Sequence, residues 1–199
     1  MKLHIFDNAE QIAVAVGNMM IEQINEKPDS VMGFATGASP VPTYQYLIKC
    51  FNEGKVSFKD MTTFNLDEYC DLPVEDKNSY FTFMHENLFN HIDVNEDNVN
   101  FLNGNTADSE AECIRYDNLI DEKKIDVQLL GIGQNGHIGF NEPSDELLPY
   151  THLTSLTENT INANSRFFEN EADVPRHALT MGIRSIFKAR KIVLLASGK

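Results

Sequence analysis

Positive charge is scarce in this sequence: 16 Lys and Arg stand against 30 Asp and Glu, a formal net charge of −14 at pH 7. Binding along a nucleic-acid backbone rests on many Lys and Arg contacts to phosphate, so the composition argues against a nucleic-acid partner. A small anionic ligand stays within reach, because a few basic residues in one cleft set the local potential whatever the distant surface carries. Cysteine is scarce too. Cys50, Cys70 and Cys113 are odd in number and widely spaced, which points away from a disulfide framework or a paired zinc motif and leaves reduced, structural thiols. Nowhere do about 18 apolar residues run together. The stretch Met1 to Gln11 also lacks the apolar core and small-residue cleavage site of a secretory signal. A soluble, cytoplasmic chain with no membrane partner is the expectation.

What is present is a globular composition, with 199 residues of which 42% are hydrophobic, 10% aromatic and 23% charged. That suits one domain with a sizeable core. Short apolar runs alternate with longer amphipathic stretches, the trace of strand–helix units around a mostly parallel sheet, and so of the α/β class. The strand candidates are Lys2–Phe6, Val31–Ala35, Met61–Leu66, Asp126–Gly131 and Ile192–Ala196. A helix capped by Asp7 or Asn8 carries Ile12, Val16, Met19 and Met20 on one face and ends near Asn25. Pro40 to Phe51, Tyr80 to Phe89 and Ala107 to Ile120 read as further helices.

Ligands of open parallel sheets bind beyond the carboxyl ends of the strands, so the segments that follow each strand carry the interest. After Val31–Ala35, the small-residue turn Thr36-Gly37-Ala38-Ser39-Pro40 opens a helix and offers backbone N–H groups and hydroxyls to a phosphate; as a tight turn with a Ser cap it would serve structure alone. After Met61–Leu66 stand two adjacent carboxylates, Asp67 and Glu68, where an apolar strand meets the binding edge. Partial burial there would raise a carboxylate into the working range of a general base, while a solvated turn acid would do nothing. The segment Gly131 to Pro143 holds four glycines together with His137 and Glu142, placed so that a loop doubling back lets the carboxylate orient the imidazole. A metal is the rival use of that pair, but a third ligand at sensible spacing is missing, and none is expected. Arg166, followed by two aromatics, suits phosphate recognition, or equally a surface cover for an apolar pair. The remaining histidines, His4, His85, His91, His152 and His177, read as surface or packing residues. Chemistry and spacing together describe an α/β enzyme acting on a small phosphorylated molecule by acid–base catalysis.

Four segments taken in order, Phe34 to Pro40, Asn65 to Tyr69, Gly131 to Pro143 and Ala163 to Phe168, resemble those of glucosamine-6-phosphate deaminases. The resemblance runs over almost the whole chain, and Leu66-Asp67-Glu68-Tyr69 and Gly139-Phe140-Asn141-Glu142-Pro143 look specific to the deaminases rather than to the related 6-phosphogluconolactonases. It implies a Rossmann-like sheet and the conversion of glucosamine 6-phosphate and water into fructose 6-phosphate and ammonia without a cofactor. By position it assigns acid–base catalysis to Asp67, pyranose ring opening to His137, and tuning of that imidazole to Glu142. Asn135 stands where some members carry an Asp and would act without a charge. Thr36, Gly37, Ala38 and Ser39 would complete a phosphate pocket with Arg166, and Lys199 would stand at or near a second basic ligand. Family members continue past this point, so residues 1–199 are expected to form one domain lacking a C-terminal segment. The competing readings are a lactonase or aldose–ketose isomerase on the same scaffold, and a non-catalytic sugar-phosphate sensor, which should lack the acid–base residue.

Overall fold

The computed structural model describes residues 1–133, 135–165, 168, 170 and 173–197. The chain enters helix α1 (Ala9–Glu26) at Asn8, whose side chain accepts the Gln11 N–H at 2.9 Å. This satisfies one of the donors that every helix start leaves free. Strand β1 (Val31–Phe34), helix α2 (Val41–Asn52) and strand β2 (Thr62–Asn65) follow. Next come a short strand β3 (Asp67–Tyr69), helix α3 (Tyr80–Asn87), strand β4 (Val99–Asn100), helix α4 (Ser109–Lys123) and strand β5 (Val127–Leu130). The C-terminal part contributes β6 (His152–Ser155), α5 (Glu158–Ser165), β7 (His177–Thr180), α6 (Ile183–Phe187) and β8 (Lys191–Leu194).

The main sheet has the order β4-β2-β1-β5-β8, and all its pairings are parallel. Helices cover both faces, which is why β1 and β5 are buried at every residue instead of alternating. Met20, Ile24, Met32, Phe34, Leu47 and Met84 join α1, α2 and α3 to one face, while Phe64, Tyr116, Ile120, Leu130 and Ile186 join α4 and α6 to the other. Tyr116 reaches across to β2, where its hydroxyl donates to the Asn65 carbonyl at 2.7 Å and accepts the Asn65 N–H at 3.0 Å. The three cysteines are free and buried. Among the described residues no helix is long and apolar enough to cross a membrane.

A second sheet, β3-β7-β6, is antiparallel throughout. One residue, Leu66, separates it from the main sheet, and the Leu66 carbonyl accepts the Met181 N–H at 2.8 Å. Two expectations are corrected here. Residues 2 to 6 form no strand: Leu3 and Ile5 are 79% and 85% exposed, and no described strand lies alongside to receive their backbone bonds. Period-two alternation marks an extended segment, but only a paired partner makes it a strand. Asp67-Glu68-Tyr69, expected as the loop leaving a strand, is itself a strand, because β7 supplies the ladder that its sequence gives no hint of.

Candidate functional site

The carboxyl ends of β2, β1 and β5 are neighbours in the main sheet. The segments leaving them open onto one cleft of about 600 Å³, the size of a small-molecule site. Thr36, Gly37, Ala38 and Ser39 form one wall, Leu66 and Asp67 the floor, and Gly133, Asn135, His137, Gly139 and Phe140 the opposite wall. Helices α3 and α5 close it with Tyr80, Asn159, Thr160 and Asn164. Asp67, Asn135 and His137 are thus gathered with the turn after β1, and Glu142 stands directly behind His137. Arg166 and Lys199 lie outside the described residues.

Asp67 is the buried charge of the floor, 6% exposed. Its carboxylate accepts no hydrogen bond from the described residues, and it pairs through the backbone with Thr180. Burial, with a smaller contribution from the neighbouring Glu68 charge, pushes its pKa up to about 8. Strand alternation turns Glu68 away from the cleft floor. There the Glu68 carboxylate accepts the N–H groups of Tyr69 at 2.9 Å, Tyr80 at 2.9 Å and Phe81 at 2.8 Å. The adjacent carboxylates therefore do different things: one faces the cleft without partners, the other is fully committed to backbone.

The loop after β5 folds back on itself. Gly133 N–H bonds to the His137 carbonyl at 2.9 Å, and a side chain on Gly133 would occupy the space of the His137 ring. His137 Nδ1 is buried and has no hydrogen-bond partner among the described residues. It lies 3.6 Å from Glu142 Oε2, an ion-pair distance beyond hydrogen-bond range. Asn135 Nδ2 holds the same Oε2 at 2.7 Å, while Oε1 accepts from the Thr160 and Thr157 hydroxyls. Partial burial would raise the Glu142 pKa. The bonds from Thr160 and Asn135, with the nearby His137, outweigh it and hold Glu142 below the usual carboxylate range. Among the described residues no three His, Cys, Asp or Glu gather as a metal site.

Several site residues are absent from the sequence reading. Tyr80 stacks parallel to Phe140 with ring centroids 5.8 Å apart and lies 4.8 Å from the Tyr69 ring. Its hydroxyl stands 3.5 Å from that of Tyr69, and Tyr80 lines the same cleft as Thr36. Asn164 Nδ2 donates to the Tyr69 hydroxyl at 2.9 Å. Thr157 caps α5 by accepting the Thr160 N–H at 3.3 Å, and both threonines then serve Glu142. The signal available in sequence was Thr157 followed by a short polar helix. Polar helices without an apolar stripe leave little periodicity to read.

Residues 7–199 match the family described as glucosamine-6-phosphate isomerases/6-phosphogluconolactonase. A glucosamine-6-phosphate deaminase of Clostridium tetani is 53% identical across all of this chain and 83% of its own length. One of Bacillus pumilus is 50% identical across 98% of this chain and 81% of its own. Among solved structures, a monomeric glucosamine-6-phosphate deaminase superposes with a TM-score of 0.94 at 44% identity, covering 98% of this chain and 81% of that one. The 6-phosphogluconolactonase of Thermotoga maritima superposes at 0.74 with 20% identity, over all of this chain and 84% of that one, which speaks for the fold alone.

Proposed function

Since the chain belongs to the family of glucosamine-6-phosphate isomerases and 6-phosphogluconolactonases, we propose that it is an isomerising deaminase, converting glucosamine 6-phosphate and water into fructose 6-phosphate and ammonia. The observation that carries this reading is Asp67: a buried carboxylate, without a hydrogen-bond partner among the described residues, at the floor of a cleft whose far wall holds an imidazole backed by a carboxylate. Ester hydrolysis of a lactone has no need of a base poised to move a proton between adjacent carbons. An aldose-to-ketose shift does.

The substrate phosphate sits against the Thr36–Ser39 turn, with Arg166 as a charged ligand and Lys199 at or near the second. His137, whose buried Nδ1 is held toward Glu142, is the proton carrier for opening the pyranose through its other ring nitrogen, Nε2: it takes the C1 hydroxyl proton and delivers a proton to the ring oxygen as the C1–O5 bond breaks. Asp67 then removes the proton from C2 and the electrons move to give an enolamine. Returning the proton to C1 yields the C2 imine, water adds to C2, and ammonia leaves as the ketone forms. Asn135 carries no charge, so it orients Glu142 rather than relaying a proton.

A coupled assay for ammonia and fructose 6-phosphate tests the proposal. Release of both in equal amounts is expected, and turnover of 6-phosphogluconolactone with no ammonia released from glucosamine 6-phosphate would replace the deaminase reading by a lactonase one. The pH profile offers a second check. Asp67 works as a base only when ionised and its pKa stands at about 8. Turnover should therefore rise with pH through that value and fall about tenfold per unit on the acid side. An acid limb near the ordinary carboxylate range would remove Asp67 from proton abstraction. For ring opening, His137→Gln should slow the closed pyranose far more than an open-chain analogue, by about one to two orders of magnitude. Equal losses on both substrates would assign His137 to structure.

A further inference from the structure

We infer that Glu68 is a positioning residue for the substrate site, acting through Tyr80: its carboxylate clamps the first turn of α3 and so holds Tyr80 in the cleft that Thr36 also lines. The inference rests on the deaminase reading for its substrate class, a sugar phosphate.

Helix α3 begins at Tyr80, and its first N–H groups each have a fixed partner. Those of Tyr80 and Phe81 go to the two oxygens of Glu68 at 2.9 and 2.8 Å, and that of Thr82 goes to the Ser79 hydroxyl at 3.0 Å. Ser79 in turn donates to the Val74 carbonyl at 2.6 Å. The serine is already an ordinary helix cap. A second, buried carboxylate at the same helix start is costly, because its charge must leave water, and 7% exposure leaves Glu68 little solvent. What it adds is location. It ties the backbone of the first helical residue to β3, the strand whose first residue, Asp67, forms the cleft floor.

The Tyr80 ring then has little freedom. It is stacked parallel on Phe140 and packed against Tyr69, so its hydroxyl moves only if the helix start moves. Tyr80 lines the cleft together with Thr36 of the phosphate-binding turn, and its hydroxyl stands 3.5 Å from the Tyr69 hydroxyl, which Asn164 of α5 also holds. Tyr80 therefore presents a polar group to the phosphate end of the ligand, and Glu68 sets where it is.

The experiment compares Tyr80→Phe, Glu68→Gln and the double variant with the parent chain. The readouts are kcat and KM for glucosamine 6-phosphate, and Kd for fructose 6-phosphate by calorimetry without turnover. Loss of one ligand hydrogen bond corresponds to about a tenfold rise in KM and Kd, carried by binding rather than by kcat. Both single variants should show it, and the double variant should be no weaker than the weaker single, since both changes act on one hydroxyl. Losses that multiply, or a folded Glu68→Gln chain with parental Kd, would overturn the inference. Should Glu68→Gln not fold, Tyr80→Phe decides alone: an unchanged Kd overturns the role of the hydroxyl and of its clamp. A parent chain that binds fructose 6-phosphate but releases no ammonia would fail the deaminase reading and leave this comparison intact. One that binds neither sugar phosphate overturns both.

Discussion

Replacing Asp67 by Asn should lower kcat by about two orders of magnitude or more, the scale of a lost general base, with Kd for fructose 6-phosphate little changed. The amide fills the same space but cannot take the C2 proton. The same substitution should make the protein more stable at alkaline pH. In the folded state burial raises the Asp67 pKa from 3.8 to about 8. The unfolded chain thus loses the proton first as pH rises, and the folded state loses stability across that interval, with the full penalty present above about pH 8. Asn has no proton to lose. Its advantage in Tm should be several degrees at about pH 9 and should shrink toward about pH 5. Calorimetric melts at the two pH values measure it. Near-parental turnover would take Asp67 out of the reaction, and a variant less stable at the higher pH would discard burial as the cause of the raised pKa.

Gly139→Ala should lower activity without replacing a reacting group. Gly139 has φ +59°, and a methyl group there would stand 2.9 Å from Thr180 Oγ1 and 3.0 Å from Asp67 Oδ2. Thr180 cannot yield easily, because its hydroxyl accepts the Phe140 N–H at 3.1 Å and its backbone pairs with Asp67. The carboxylate is therefore the group displaced. A misplacement of about 1 Å at a reacting group costs about a hundredfold in rate, and a shift of a few tenths of an ångström should cost about tenfold in kcat/KM. The left-handed backbone adds about 1 kcal/mol of destabilisation. Gly54→Ala separates the two contributions, since Gly54 has φ +69° and open space where the methyl would go. It should lose the same stability and keep full activity. Equal kinetics for both alanine variants would show that contact with Asp67 is immaterial.

Much of the main sheet was legible because its strands are buried on both faces and so stand out as short apolar runs: Val31, Met32 and Phe34 in β1, Val127, Leu129 and Leu130 in β5. The convergence of the loops after β1, β2 and β5 followed from parallel strand order. The second sheet was not legible. Strand β6 reads His152-Leu153-Thr154-Ser155 and is half exposed, and β3 consists of two acids and a tyrosine. Neither has the apolar pattern of a strand, and each is made one by pairing with β7. Glu68 illustrates the same limit at the level of one side chain. Sequence places two acids side by side; only the backbone of α3, brought up from residue 80, decides that one of them is a clamp and the other faces the cleft.

The single-residue link at Leu66 has a consequence for how the protein loses activity. Strand β2 closes with β1, its near neighbour in sequence, whereas β3 closes only when β7 arrives from the far end of the chain. Long-range pairings of this kind form late and carry a small sheet with few backbone bonds, the part of a fold expected to open first. Opening it would leave the main sheet standing but would admit water to Asp67, returning its pKa toward the ordinary value. On gradual heating, catalysis should therefore fade ahead of the helical signal, and amide exchange at Glu68, Tyr69 and Leu179 should outpace exchange at Met32 and Leu129.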